Sequence, residues 1–472
     1  MSFARILRSS ALMGGASAVT LVASFVRAKI IAVIFGPAGI GIFGILSSFN
    51  ANLSALSGWG LGISGVRSIS SASLEERPLK VAAVRRLGSF LAWCGLFLVM
   101  LGAHPCSLLI FGDASYSIEI LIAGLAVPCI IVTSVFSAII QARGNLASLA
   151  RVQMIGAITG LIAGAPLIWL AGSIGIALAV LLASALPAIL TWSVASRQEP
   201  SISVEARKED IWQLVVLGTA FMGSALFSQV SVLLVRTIIV RHLGLDAAGQ
   251  FHAANTIAMS LPGLVLVSMG TDFFPRVAAA ESEIVARRLT ELQIKTALLF
   301  SLPLLCGLLT LGPLAIRLLY DGQGFDHASQ LLSLMIWGVF FRVIAWPMGY
   351  WLMARGSSAT MIGVDLASNL LAATLPLFLM PYFGLKGAAA AFSIGCLAYA
   401  CILLWVVRLR SGSWISGGVL AWCALAAAVL VLAQLSVAPF QGEYLGVIPT
   451  AIVTVACAAV SYRLAKRKTD HA

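Results

Sequence analysis

The sequence predicts an all-α polytopic membrane protein of about fourteen transmembrane helices. They form two six-helix lobes in parallel repeat around a central cavity, followed by two C-terminal helices. Three observations predict it. Of 472 residues, 60% are hydrophobic and 10% charged, with a mean hydropathy of +1.01. A soluble chain of this size could not cover its surface with so few polar groups. Apolar runs of about twenty residues alternate with short polar breaks, as membrane helices do and the short alternating segments of a barrel do not. Finally, the chain repeats itself at an offset that drifts from 208 to 212 residues.

Spans are expected near 11–35, 41–66, 87–109, 117–141, 149–170, 174–195, 211–240, 248–274, 294–313, 329–353, 358–380, 385–407, 415–436 and 444–462. The first apolar run, from Ala11 to Phe35, is too long for a signal-peptide core, and Arg27 and Lys29 interrupt it. With the N-terminus in the cytoplasm, 23 of the 30 basic residues fall on the cytoplasmic side. Arg241, Arg317 and Lys386 fall opposite, and Arg27, Lys29, Arg236 and Arg342 lie inside spans. That asymmetry obeys the positive-inside rule and places both termini in the cytoplasm. It also accounts for the net charge of +12, so no nucleic-acid partner is expected.

The repeat centres on Phe35-Gly-Pro-Ala-Gly-Ile-Gly-Ile-Phe43, which returns as Leu243-Gly-Leu-Asp-Ala-Ala-Gly-Gln-Phe251. Gly36, Gly41 and Phe43 fall on Gly244, Gly249 and Phe251, and Asp113 on Asp321. Further on, Ala142-Arg143-Gly144 falls on Ala354-Arg355-Gly356, and Gly172 and Gly175 on Gly384 and Gly387. Six helices per copy, an even number, make the two copies parallel across the membrane. The expected division is an N-terminal lobe at 1–197, a cytoplasmic linker at 198–210, a C-terminal lobe at 211–410, and two extra helices with a basic tail at 411–472.

No catalytic constellation is visible. The chain has no GxxxxGK[ST] loop, no HExxH and no CxxC among its eight cysteines, so neither a cofactor nor a metal is expected. The intramembrane charges are the informative residues, because each costs at least ~2.5–3.5 kcal/mol near the bilayer centre unless it meets water or a partner. Arg342 lies roughly 20 Å of helix from either end of its span, and either faces a wet cavity or pairs with an acid such as Asp365. Arg27 and Lys29 are two apart on one helix and point about 200° away from each other. Arg236 lies at matching depth in the first helix of the second copy, so both copies are expected to line one cavity. Asp365 is the candidate coupling residue, with an ion pair to a neighbouring arginine as the other reading. Asn50, Asn52 and Asn369 either bind sugar hydroxyls or join helices. Four cations against few acids suit an anionic headgroup such as a diphosphate.

The Phe35–Phe43 turn, the first helix with Arg27 and Lys29, the asparagine-containing second helix and Ala142-Arg143-Gly144 resemble the Wzx-type oligosaccharide flippases over about residues 1–410. The duplicated halves are similar to the wider superfamily of multidrug extruders and lipid II flippases. This resemblance implies a cavity that opens alternately to either side. The implied cargo is an undecaprenyl-diphosphate-linked oligosaccharide repeat unit, moved from the cytoplasmic to the periplasmic leaflet for surface polysaccharide synthesis. Family flippases use cationic cavity residues, and Arg27, Lys29, Arg236 and Arg342 are the positions that could serve. Membrane lipids, a polysaccharide polymerase and a chain-length regulator are the further partners it implies. The two extra helices are similar to those of lipid II flippases, which makes a peptidoglycan-precursor flippase the alternative. A cation-coupled extruder would need an acidic cavity.

Overall fold

The computed structural model describes residues 3–198, 206–320, 324–355, 358–411 and 416–437, and contains no strand among them. The helices are α1 (Phe3–Gly58), α2 (Leu61–Ser70), α3 (Arg77–Phe111), α4 (Ser117–Gly124), α5 (Ala126–Ala142), α6 (Leu146–Leu170), α7 (Gly172–Gln198), α8 (Lys208–Ala278), α9 (Glu283–Tyr320), α10 (Asp326–Ala354), α11 (Ser358–Ser411) and α12 (Gly417–Val437). A short 3-10 turn at Ala114–Tyr116 precedes α4. Its cap is Asp113, whose carboxylate accepts from the Ser115 N–H and hydroxyl at 3.2 and 2.6 Å. Those hydrogen bonds hold the Asp113 carboxyl below its usual range. The matching Asp321 and the expected span at 444–462 lie outside the described residues.

Among the described residues, ten stretches are long and apolar enough to cross a membrane. Three of them, in α1, α8 and α11, belong to helices of 56, 71 and 54 residues. At 1.5 Å per residue these are roughly 80–110 Å long, about three times a ~30 Å hydrocarbon core. Each is divided by one non-helical glycine: Gly36 (φ 61°, ψ −155°), Gly244 (φ 83°, ψ 178°) and Gly384 (φ 55°, ψ −137°). The division brings the crossings among the described residues to thirteen, each at an expected span. Positive φ with extended ψ is open essentially to glycine alone, so the bend is written into the chain at these points. After Gly36, Pro37 sits at the first position of the new helix, where its missing N–H is harmless.

The duplication is visible in the backbone. Gly36 and Gly244 share one unusual conformation, and Gly172 (φ 62°) and Gly384 share positive φ. A further pair, Gly112 (φ 80°) and Gly324 (φ 74°), ends α3 and precedes α10 at the 212-residue offset. The two turns of the repeat also touch each other. A β-carbon on Gly41 would overlap the Leu245 carbonyl oxygen, and one on Gly249 would overlap the carbonyl oxygen of Pro37. Pro37 and Leu245 are themselves 208 residues apart, so the contact is reciprocal. Only two glycines allow the backbones to approach so closely.

The chain divides into two compact units, residues 1–249 and 250–472. The sequence repeat follows the duplication, whereas these units follow the packing, and residues 208–249 pack within the first unit. Lys80 Nζ pairs with Asp210 Oδ1 at 2.7 Å, and the Trp59 indole donates to the Val215 carbonyl at 3.2 Å. The first unit's core lies between α2, α3 and α5, with Leu61, Val84, Ile131 and Val135 buried, and Leu214 of α8 joins it. In the second unit α10 is the buried helix, with Leu331, Met335, Ile336 and Val343 fully enclosed. Outside the duplication, α12 is fastened by polar contacts. The Trp337 indole donates to Gln434 at 2.6 Å, and the Ser416 N–H and hydroxyl donate to Glu291 at 2.9 and 2.7 Å.

Gly249→Ala is expected to lower stability by about 1–3 kcal/mol, the range for overpacking a tight contact. Gly14→Ala, which has open space around it, should be neutral. Thermal melts of both purified variants in one detergent check this.

Candidate functional site

Gly44, Ser48 and Asn52 recur every fourth residue along the second half of α1, so they form one stripe. Facing them is the α8 segment that carries Gln229 and Arg236. Arg236 is 8% exposed, and its Nη1 donates to both the Gly44 carbonyl and the Ser48 hydroxyl. It makes no ion pair with a described residue, and its Nε is buried without a hydrogen-bond partner. One turn along the stripe, Asn52 Nδ2 donates to the Ser48 carbonyl and to the Gln229 carbonyl, both at 2.8 Å. Asn50 points elsewhere and donates to the Ala123 carbonyl at 2.8 Å, next to the break between α4 and α5. Both amides therefore join helices, the second of the two roles open to them.

Arg27 and Lys29 diverge as their spacing requires. Arg27 is half-buried, with its Nε enclosed and unpartnered among the described residues, while Lys29 is exposed. The first unit thus carries three intramembrane cations. Its buried acid, Glu119, accepts from the Ser173 hydroxyl at 2.8 Å, near the start of α4.

The second unit gathers the remaining candidates. Arg342, midway along α10, is exposed in the protein although it lies midway along a span. It lies close enough to act electrostatically on Cys396 and on Tyr399, one turn further along α11. Asp365, on the first half of α11, also acts electrostatically on Tyr399. One turn on, Asn369 Nδ2 donates to the Asp365 backbone carbonyl at 2.8 Å. Arg342, Asp365 and Asn369 therefore form one neighbourhood. Sequence reasoning missed Cys396 and Tyr399. The available signal was their i,i+3 spacing, which puts thiol and phenol on one helix face.

The arrangement offers hydrogen-bond donors and positive charge, with no described cluster of His, Cys, Asp or Glu that could hold a metal. Known proteins now bear on it. Residues 6–281, more than half of the chain, match the family model described as polysaccharide biosynthesis protein. The chain belongs to that family. Residues 204–448, again just over half, match the model described as lipid II flippase MurJ, so membership extends to that family too. A Shigella flexneri protein described as "Putative O-antigen transporter" is 23% identical over 286 residues, covering 60% of this chain and 68% of its own.

Three solved structures show the fold. A lipid II flippase MurJ in an inward closed conformation has a TM-score of 0.77 at 17% identity, covering 98% of this chain and 99% of its own. A multidrug resistance MATE transporter in an inward-facing conformation has 0.65 at 15% identity, covering 83% and 94%. A MOP superfamily transporter from Pyrococcus furiosus, described as having a binding pocket of reversed polarity, has 0.64 at 14% identity, covering 86% and 95%. This family member is a multi-pass membrane transporter.

Asn52→Leu, which keeps the side chain's size, is expected to destabilise the protein by about 1 kcal/mol while transport persists. A thermal melt and a transport assay on the same preparation check it. An unchanged melt with lost transport would reassign Asn52 to the cargo.

Proposed function

We propose that this protein flips an undecaprenyl-diphosphate-linked oligosaccharide repeat unit from the cytoplasmic to the periplasmic leaflet of a bacterial inner membrane, by alternating access. The observation that carries the reading is the family match over residues 6–281. The chemistry of the site agrees with it. A diphosphate needs compact positive charge, which Arg27, Lys29, Arg236 and Arg342 could supply inside the bilayer. The lipid tail can stay among the acyl chains while the polar headgroup crosses.

In this reading both termini are cytoplasmic, since that orientation puts 23 of 30 basic residues on the inner face. Asp365 is the proposed coupling residue and Asn369 is proposed to act beside the cations, while Asn50 and Asn52 hold together the helices that carry them. A polymerase and a chain-length regulator would take the product onward. The protein acts as a transporter and performs no covalent chemistry on its cargo. The match of residues 204–448 to the lipid II flippase model favours a peptidoglycan precursor as the second reading. A multidrug extruder of cations fits less well, because the intramembrane charge has the wrong sign.

Cells lacking the protein should accumulate a lipid-linked oligosaccharide facing the cytoplasm. Wild type should relieve this, and Arg342→Ala should reduce flipping at least about tenfold with normal membrane insertion. Leaflet-specific probing of extracted intermediates reads it. Accumulation of lipid II would select the second reading, and sensitivity to cationic drugs without any intermediate would select the extruder.

A further inference from the structure

A groove of about 380 Å³ runs between α3, α5 and α7, within the usual range for ligand pockets of roughly 300–1,000 Å³. None of the candidate transport residues lines it. Its polar lip is formed by Arg85 and Ser89 of α3 and Trp192 of α7. Its floor, Val132, Val135 and Phe136 of α5, is apolar. Gly88 opposite Val135 lets α3 lie close, since a β-carbon there would overlap the valine side chain.

The depth of the groove is set by the helix ends. Arg85 lies eight residues into α3, Phe136 six residues before the end of α5, and Trp192 six before the end of α7. These correspond to roughly 9–12 Å. The three ends lie on one side of the membrane, and Arg77 at the start of α3 donates to the Ala142 carbonyl at the end of α5, at 3.0 Å. The lip is therefore at the level where headgroups give way to acyl chains, a preferred depth for tryptophan. The surrounding surface is lipid-facing. Phe90 and Trp93 on α3 are 63% and 70% exposed, and Ile189 on α7 is 56% exposed.

Among the described residues Arg85 has no anionic partner. Its guanidinium sits 5.6 Å from the centroid of the Phe136 ring and makes no hydrogen bond or ion pair with a described residue. A half-buried cation in a groove that opens to lipid will attract an anion, and the anions abundant at that depth are lipid phosphates. We propose that this groove is a binding site for an anionic phospholipid, with the headgroup phosphate on Arg85 beside the Ser89 hydroxyl and an acyl chain along Val132, Val135 and Phe136. A prenyl-diphosphate sugar shares the phosphate and the apolar tail. The groove offers one hydroxyl and one indole and lacks the amides and carboxylates that would hold a carbohydrate, which favours the phospholipid. The leaflet is the cytoplasmic one if the orientation proposed above holds, whereas the binding itself does not depend on it.

The test is native mass spectrometry of the purified full-length chain in detergent, with phosphatidylglycerol or phosphatidylethanolamine of the same acyl chains added. Wild type should retain phosphatidylglycerol preferentially. Arg85→Gln should weaken that retention about tenfold, the loss of one charged hydrogen bond. Val132→Trp, which fills the floor and keeps the charge, should weaken both lipids. Arg151→Gln, at an exposed arginine on α6, should change neither, and thermal melts of all variants identify any that are misfolded. Equal retention of the two lipids by wild type, or undiminished phosphatidylglycerol retention by a folded Arg85→Gln, would overturn the proposal. So would a preference for undecaprenyl phosphate over phosphatidylglycerol. Because lipid retention is read without transport, failure here leaves the flippase reading intact.

Discussion

The contact between the two repeated turns is the constraint on which the first unit depends. At Gly41 and Gly249 two helix starts meet backbone to backbone, each glycine lying against a carbonyl of the other turn. Any side chain at either position would force them apart. Because the turns meet there, the first half of α8 runs alongside the second half of α1, and the hydrogen bonds from Arg236 and Asn52 across that seam become possible. A local feature, two glycines in matching places, thereby decides which side chains face each other along two membrane helices.

That seam also shows how a membrane protein carries positive charge in its interior. Arg236 has a carbonyl and a hydroxyl as partners in place of a carboxylate, so its charge is solvated without being neutralised. An ion pair would cancel the field, whereas dipoles leave it available to an anion. Arg342 differs, being exposed in the protein with Cys396, Tyr399 and Asp365 in its neighbourhood. A cation held as Arg236 is suits an anionic cargo better than a cationic drug.

The charged residues of the candidate site were legible in the sequence because intramembrane charge is rare and easily seen in apolar runs. Arg27, Lys29, Arg236, Arg342 and Asp365 stood out for that reason, and so did the divergence of Arg27 from Lys29. The amides were less legible. Asn50 and Asn52 are two residues apart in sequence, yet one reaches α4 and the other α8, and no local pattern distinguishes a helix-joining amide from a sugar-binding one. Cys396, Tyr399 and the Arg85 groove escaped notice, since each acquires meaning only from a neighbour on another helix.

By itself, the sequence determined the membrane class, the places of the crossings among the described residues, the duplication, and the glycines at which long helices bend. Those properties depend on hydropathy and on φ, ψ restrictions that act within a few residues. Tertiary structure alone decided that residues 208–249 pack with the first unit, that Asn52 reaches a carbonyl 177 residues away, and that Arg236 is buried against α1. Such pairings depend on how helix surfaces interlock in three dimensions, and the identity of a single residue does not encode which surface will meet it.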